Sequence, residues 1–308
     1  MLISLIGEQP IPNLLPIRHL KAAENLVVHT SNENASLKPA QRLKKLIPPE
    51  LEVSLLTVDA YRVDKIREKL EEALSNRNDV IFNLTGGTKP MSLAALEVAR
   101  ARRATCVYYQ TEGQRGREQQ SKLYFYRFDD AGNLVFDRAE ALPGNLINLD
   151  DYLRAHLEDY QETGFASGSG GDMEKAVFAA LKSEMDEIKA NIKPLGMKDQ
   201  VEIDLLARRG NNVAVLEVKS GGQGSNKKAL DQLTTMAARE YLGTYATRVI
   251  VTHADDDSRS GWYKALARAL RVEVVELQYS LQKGRLHEQD ARNLRQRLNE
   301  ILPLKSAE

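Results

Sequence analysis

Asp204, Glu217 and Lys219 are spaced so that three charged side chains come together. They fall in VEIDLLARRGNNVAVLEVKSGG, residues 201–222, two apolar runs of strand character joined by a polar turn. Strand side chains alternate faces, so Val201, Ile203 and Leu205 point one way and Glu202, Asp204 and Leu206 the other. The same alternation puts Glu217 and Lys219 on one face. Residues 208–212 have the Gly and Asn chemistry of a hairpin turn, and a four-residue loop over 209–212 pairs position 208 with 213. In that register Asp204 lies directly opposite Glu217. Paired strand residues have Cβ atoms about 4.5–5.5 Å apart, close enough for two carboxylates to share one divalent cation. Lys219 then stands within reach of a water on that cation, and the set has the layout for metal-dependent hydrolysis of a phosphodiester. A slip of one residue would send Asp204 to the face opposite Glu217. The bland alternative is a surface hairpin with a salt-bridged polar face.

A second marker is NLTGGTKPMS, residues 83–92, at the end of the apolar run DVIFNL. A turn made of Thr85, Gly86, Gly87, Thr88 and Lys89 that enters a helix presents backbone N–H groups where the helix dipole favours anions. Ligands of open α/β sheets also sit at the carboxyl ends of strands. Phosphate binding is the expectation, against a tight strand-to-helix turn that holds no ligand. GxxxxGK[ST] is absent, and the first strand runs into GEQPIPN instead of GxGxxG. A P-loop, a nicotinamide or a flavin cofactor is therefore not expected.

The elements that must position these turns fall into two groups. LISLIG, LVVHTS, LEVSLLTV, DVIFNL and ATCVYYQ read as strands, with helix-like RHLKAAE, KPAQRLKKLI, VDKIREKLEEALS and PMSLAALEVARARR between them. Near-continuous apolar strands alternating with amphipathic helices predict a parallel sheet covered on both faces, a Rossmann-like domain. KLYFYRFDDAGNLVFDR, residues 122–138, reads as an edge hairpin turning at 130–133, and LDDYLRAHLEDYQETG, residues 149–164, as a connecting helix. FASGSGGD, residues 165–172, concentrates Gly and Ser as a flexible linker does. The expected organisation is a first domain over 1–150, a connecting helix and linker over 151–171, and a second domain over 172–308. That second domain is predicted to open with a helix over 172–189 capped by Asp172. The acidic hairpin follows, then helix KKALDQLTTMAAREYL, strand RVIVTHA, helix GWYKALARAL and strand VEVVEL, with or without an edge strand at 193–198.

Composition narrows the class. With 308 residues the chain can bury two cores of ordinary size, and a formal net charge of zero provides no molecule-wide positive field, so any nucleic-acid contact must be local. Cys106 is the single cysteine, which excludes an intrachain disulfide and a cysteine metal cluster. It reads as a buried strand residue. His19, His29, His156, His253 and His287 show no ligand spacing. The basic stretch 113–122 reads as a solvated loop, and Asp255, Asp256 and Asp257 as the cap of the next helix rather than a metal cluster. No run approaches ~18 apolar residues and MLISLIGEQPIPN lacks the features of a signal peptide. A cytoplasmic protein with no membrane contact is expected.

The order of helix, acidic hairpin, helix and strand, with Asp204 and then Glu217-Val218-Lys219, resembles the PD-(D/E)xK nuclease superfamily over about residues 172–280; Ile203 stands where that family often has proline. The resemblance implies Asp204, Glu217 and the Val218 carbonyl as metal ligands for Mg2+ or Mn2+, and Lys219 as the group that orients the attacking water. It implies Glu174 as a further acidic residue on the preceding helix, where a plain N-terminal charge is the other reading. Gln232 would face the site, and Glu202 would lie just outside it or be merely exposed.

The LTGGTKPM turn and its strands, over about residues 1–135, resemble the CARF domain, the ligand-sensing Rossmann module of type III CRISPR systems. That implies a cyclic oligoadenylate held by Thr85, Gly86, Gly87, Thr88, Lys89 and Met91. Gln9, Pro12 and Asn13 after the first strand would join them, as would Thr30 and Ser31 after the second. Asn83 is read as structural, Tyr109 and Thr111 as rim contacts. Both halves together resemble the cyclic-oligoadenylate-activated ancillary nucleases of those systems. The implied protein is a homodimer activated by cyclic tetra-adenylate in preference to cyclic hexa-adenylate. It would cleave DNA, by nicking or single-strand cleavage, and RNA as a second substrate. Two rivals remain: a non-catalytic CARF-type transcription regulator, which has no need of the three charges on one face, and a restriction or repair nuclease active without any cyclic nucleotide.

Overall fold

Short apolar runs build the first sheet. In the computed structural model, which describes residues 1–75, 77–112, 120–195, 202–220, 230, 233–234, 242–253 and 261–303, β1 (Leu2–Leu5), β2 (Glu24–Thr30), β3 (Glu52–Val58), β4 (Ile81–Asn83) and β5 (Thr105–Glu112) pair in parallel, in the order β3-β2-β1-β4-β5. β6 (Gln120–Phe128) and β7 (Leu134–Ala141) extend it as an antiparallel hairpin. The predicted turn is closed by Asp129, whose carboxylate accepts from Asn133 N at 2.8 Å, with Gly132 at φ 80°.

α1 (Ile11–Leu20) and α2 (Lys38–Leu46) lie against β1, β2 and β3; α3 (Val63–Leu74) and α4 (Lys89–Ala101) join Ile3, Leu5, Val28, Phe82 and Cys106 in one core. Burying each such side chain is worth roughly 1.5–3 kcal/mol. Strand order reverses between β1 and β4, so a crevice opens beyond their carboxyl ends, where doubly wound sheets hold ligands.

The first helix differs from expectation. It starts at Ile11, not near Arg18, because Pro12 sits in the first turn, where no amide proton is needed. Pro12 and Asn13 are thereby buried helical residues rather than loop residues.

The second sheet has the order β13-β12-β11-β10-β9-β8. β8 (Tyr160–Glu162), β9 (Glu187–Pro194), β10 (Ile203–Arg209) and β11 (Asn212–Lys219) are antiparallel, while β12 (Thr247–His253) and β13 (Val272–Leu277) run parallel to β11. α5 (Leu149–His156) precedes this sheet, and α6 (Ser169–Leu181) follows β8. α7 (Gly261–Ala269) joins β12 to β13, and α8 (Glu288–Ile301) is last. Met173, Val177 and Leu181 of α6, with Leu294, Leu298 and Ile301 of α8, pack on Leu205, Ala207, Leu216 and Val218. The chain divides into two compact units: Met1–Glu112 with Gln120–Leu146 and Arg154–His156, and a second whose described residues are 147–153 and those from 157 on.

Several elements here depart from the sequence reading. The connecting helix stops at His156 and the chain turns into edge strand β8. α6 begins inside the Gly/Ser stretch, with Gly168 at its N-cap and Asp172 already in its first turn. The helix ends at Leu181, and residues 187–189 belong to β9, an interior strand instead of an optional edge one. The closing helix α8 has no counterpart in the sequence reading. Much of the stretch read as helix KKALDQLTTMAAREYL, Gln232 within it, residues 113–119 and the aspartates at 255–257 lie outside the described residues. No helix among the described residues is long and apolar enough to cross a membrane.

Candidate metal centre and ligand crevice

The hairpin takes the predicted register and tightens it by one pair. Arg208 faces Val213, Arg209 faces Asn212, and the loop shrinks to Gly210 and Asn211, with Gly210 at φ 61°. A two-residue hairpin loop takes a positive φ at its first central residue, and glycine adopts it without strain. Leu205 pairs with Leu216, and the same register carried one residue further sets Asp204 across from Glu217. Leu205 and Leu216 enter the core under α6, so alternation turns both carboxylates to the other face.

These carboxylates are buried, Asp204 8% exposed and Glu217 1%. Val218 N donates to Asp204 Oδ2 at 2.7 Å. Lys219 forms an ion pair with Glu217 Oε1 and lies 3.9 Å from Asp204 Oδ2. Burial first, then the charge of Glu217, pushes the Asp204 carboxyl up from its ordinary value. Burial raises Glu217 as well, opposed by the Lys219 charge and hydrogen bond. Burial acts to lower Lys219, but the charges of Glu217 and Asp204 outweigh it and hold the ammonium above its ordinary value.

Glu217 Oε2 is a buried oxygen with no hydrogen-bond partner. An acceptor left bare in that position is costly unless a cation or water meets it. Two buried carboxylates and a strand carbonyl at Val218 suit an oxygen-liganded divalent ion such as Mg2+ or Mn2+. Among the described residues no cluster of three or more His, Cys, Asp or Glu side chains is arranged to hold a metal, and Glu174 bonds a side chain outside the hairpin. Its Oε2 accepts from Asn191 Nδ2 at 2.8 Å. Its charge nonetheless acts on Asp204, Glu217 and Lys219. Glu202 is exposed and takes the Thr163 hydroxyl at 2.9 Å. Asn191 was missed by sequence reasoning because β9 was read as helix and optional edge strand. Its signal was slight, one amide residue in an alternating run.

At the other crevice, backbone dominates. A Cβ on Gly86 would overlap the Leu5 carbonyl oxygen, and Gly87, at φ 75°, packs against Leu5 and Met91. A Cβ on Gly7 would lie 3.5 Å from Gly87 N, so the loops after β1 and β4 touch. Asn83, buried at the end of β4, ties them together. Its Nδ2 donates to Asn13 Oδ1 at 3.1 Å and to Pro12 O at 3.4 Å, and its Oδ1 accepts from Thr85 N at 3.2 Å and Thr85 Oγ1 at 2.6 Å. The Pro12 carbonyl needs this donor because Pro16, four residues on, has no amide proton. Thr85 Oγ1 also accepts from Tyr109 N at 2.8 Å, and the Tyr109 hydroxyl is shared with Thr111 and Ser121.

Thr88 caps α4, accepting from Met91 N at 3.3 Å and donating to Ala60 O at 2.8 Å. Lys89 is exposed at the first position of that helix. Met91 is fully buried in the core, so its side chain does not line the rim as expected of it. Thr30 is likewise buried, its N–H donating to Ser36 Oγ at 2.6 Å, while Ser31 is exposed and Gln9 half-buried. Ser36 and Asn32, whose side chain caps the following π-helical turn Glu33–Leu37, shape the loop after β2. The sequence reading did not single them out.

Residues 1–126 match the family model of the Card1 CARF domain. Can2 from Sulfobacillus thermosulfidooxidans, solved in complex with cyclic tetra-adenylate, superimposes with TM-score 0.70 at 14% identity, covering 97% of this chain and 98% of that one. Protein VC1899 from Vibrio cholerae gives 0.69 at 13% identity, with 97% of each chain covered. A type III CRISPR defence DNA nuclease activated by cyclic oligoadenylate gives 0.55 at 18% identity over 94% of this chain and 44% of that chain. No curated protein sequence matches significantly. As expected from the sequence, the chain is mixed α/β with two sheets, its N-terminal Rossmann-like part matching the CARF model and the chain as a whole sharing the fold of Can2.

Proposed function

We propose that this chain is a metal-dependent endonuclease of type III CRISPR defence, switched on by cyclic oligoadenylate bound at the first crevice. The observation that carries the catalytic half is Glu217, 1% exposed, with one carboxylate oxygen bare and Asp204 across the hairpin. Such burial is unfavourable for a merely structural ion pair. It suits a site whose charge is completed by a cation.

Asp204, Glu217 and the Val218 carbonyl would hold that Mg2+ or Mn2+, which supplies Lewis acidity toward a phosphoryl oxygen and makes a nucleophile of water near neutral pH. Lys219, kept protonated by Glu217 and Asp204, orients the attacking water and offsets negative charge growing on the phosphorus oxygens. Glu174 adds negative charge from α6. The substrate reading is DNA, by nicking or single-strand cleavage, with RNA second.

In the first crevice the Thr85–Thr88 backbone and Lys89 face the phosphates of the ring at the N-terminus of α4, where the dipole favours anions. The domain match supports a cyclic oligoadenylate ligand, and the solved Can2 complex favours cyclic tetra-adenylate over cyclic hexa-adenylate. A ring with two-fold symmetry fits two copies of the domain, hence a homodimer. Activation requires that the ring bind the cleaving arrangement more tightly than the resting one, since equal affinity shifts nothing.

The test is full-length protein with supercoiled plasmid, single-stranded DNA or single-stranded RNA, with Mg2+ or Mn2+, and with or without each cyclic oligoadenylate. Cleavage is expected only with metal and cyclic tetra-adenylate together, and Glu217→Ala abolishes it. Cleavage by the Glu217→Ala chain at the parent rate overturns the site. Cleavage indifferent to every cyclic oligoadenylate overturns the sensing role and favours a constitutive nuclease, and no cleavage at all with intact ligand binding favours a regulator.

A further inference from the structure

Asn191 has three properties that a plain strand residue lacks. It is 4% exposed with its Oδ1 unpartnered. Its φ is 50°, the left-handed region, which asparagine tolerates better than most residues but seldom inside a strand. Its Nδ2 donates to Glu174 Oε2 at 2.8 Å.

The register places it deliberately. β9 pairs Ile192 with Ile203 and Ala190 with Leu205, so Asn191 falls between those pairs, level with Asp204. Its own carbonyl is pinned from the far side, accepting from Thr163 N at 2.9 Å and Thr163 Oγ1 at 3.2 Å. Backbone strain of this kind costs about 1–3 kcal/mol and persists only where the surroundings impose it. Here it brings a neutral donor to a carboxylate on another element, one whose charge acts on the buried acidic pair.

We propose that Asn191 is a positioning residue of the metal centre: it fixes the Glu174 carboxylate beside Asp204 and Glu217, so that a third negative charge contributes to divalent-cation affinity. The inference rests on the metal-dependent reading above. A carboxylate on a helix near its N-terminus has many rotamers, and a hydrogen bond from a buried amide selects one. The bare Oδ1 remains as an acceptor for water that enters with the cation. Partners of this kind, one step removed from the ion, typically change metal affinity about 10–100-fold when removed.

The experiment is Mn2+ binding to the full chain, without nucleic acid, by calorimetry and by the electron paramagnetic resonance of the ion. Asn191→Gly deletes the amide, and glycine adopts φ 50° without strain, so β9 keeps its path. Asn191→Gly is expected to raise the Mn2+ Kd about tenfold, Glu174→Ala to raise it at least as much, and the double variant to be no weaker than Glu174→Ala alone. A purely structural asparagine predicts additive effects or none. Asn191→Gly with a Kd within about twofold of the parent, or full additivity, overturns the proposal, as does Glu174→Ala binding like the parent whether or not the glycine variant folds. Glu217→Ala separates the two levels. If it too leaves Mn2+ binding unchanged the metal reading itself fails, whereas loss of binding there with no effect of Asn191→Gly removes only the role of Asn191.

Discussion

The two candidate sites are built on opposite principles. The crevice of the first sheet is made of backbone and neutral side chains, Gly86 against the Leu5 carbonyl and Asn83 bridging Asn13, Pro12 and Thr85. The acidic site of the second sheet is made of buried charge, with Glu217 nearly inaccessible and both carboxyls raised above their ordinary values. A site of the first kind holds its shape without its ligand, since Asn83, Thr85 and Thr88 find partners within the chain and Asn13 Nδ2 is the buried exception. One of the second kind is electrostatically unfavourable until a cation arrives. On the proposed function, the first is a shape for an anion and the second a charge imbalance for a metal to complete.

The largest break in that comparison comes from Gly86→Ala. The added Cβ meets a backbone oxygen that cannot rotate away, and we expect a loss of about 3 kcal/mol in the unfolding transition of the first domain. Cyclic-oligoadenylate binding, followed by calorimetry, is lost with it. Unaltered stability and binding would show that the two loops are not held in contact.

Asp204→Asn tests the other side, and here the sign matters. A carboxyl whose folded pKa is raised contributes stability that is fully present below its unfolded value and lost as pH rises through the folded one. Asp204 is raised, so the metal-free parent is penalised above the ordinary carboxylate range and Asp204→Asn escapes the penalty. In chelator, the variant should melt above the parent by about 4 °C at about pH 8 and match it at about pH 4. Mn2+ should stabilise only the parent. A difference that does not change with pH removes the charge-imbalance account.

Thr85→Val is the smallest of these changes. It strips the hydroxyl that donates to Asn83 and accepts from Tyr109 N, leaving the Tyr109 amide without that acceptor and Asn83 Oδ1 with Thr85 N alone, at about 1–2 kcal/mol. Because Thr85 joins the loop to β5 rather than filling the crevice, activator Kd should rise by less than about tenfold. A larger loss would mean that the hydroxyl itself touches the ligand.

The legibility of the two regions also differed. Alternation over Ile203–Arg209 and Asn212–Lys219 together with the turn chemistry at 208–212 was enough to predict the register that sets Asp204 across from Glu217, because a slip of one residue would exchange the two faces of each strand. The β4 turn was legible because Gly-Gly after an apolar strand has few other uses. The Gly/Ser stretch at 165–172 misled, since small polar residues serve both a linker and the first turn of α6. Glu187–Lys189 misled in the same way: its charges sit as well on a helix as on β9, and pairing with β10 decided between them.

What the sequence determined by itself is therefore local: strand alternation, turn chemistry, a single cysteine, the absence of membrane-length apolar runs, and the presence of three charges on one hairpin. These depend on residues near one another in the chain. Only the tertiary structure decided that Glu217 is sealed from water, that Met91 belongs to the core, and that Glu174 turns to an asparagine on a strand 17 residues away. Burial and cross-element hydrogen bonds arise from packing between distant segments, and no local pattern encodes the dielectric around a carboxylate or the partner that will hold it.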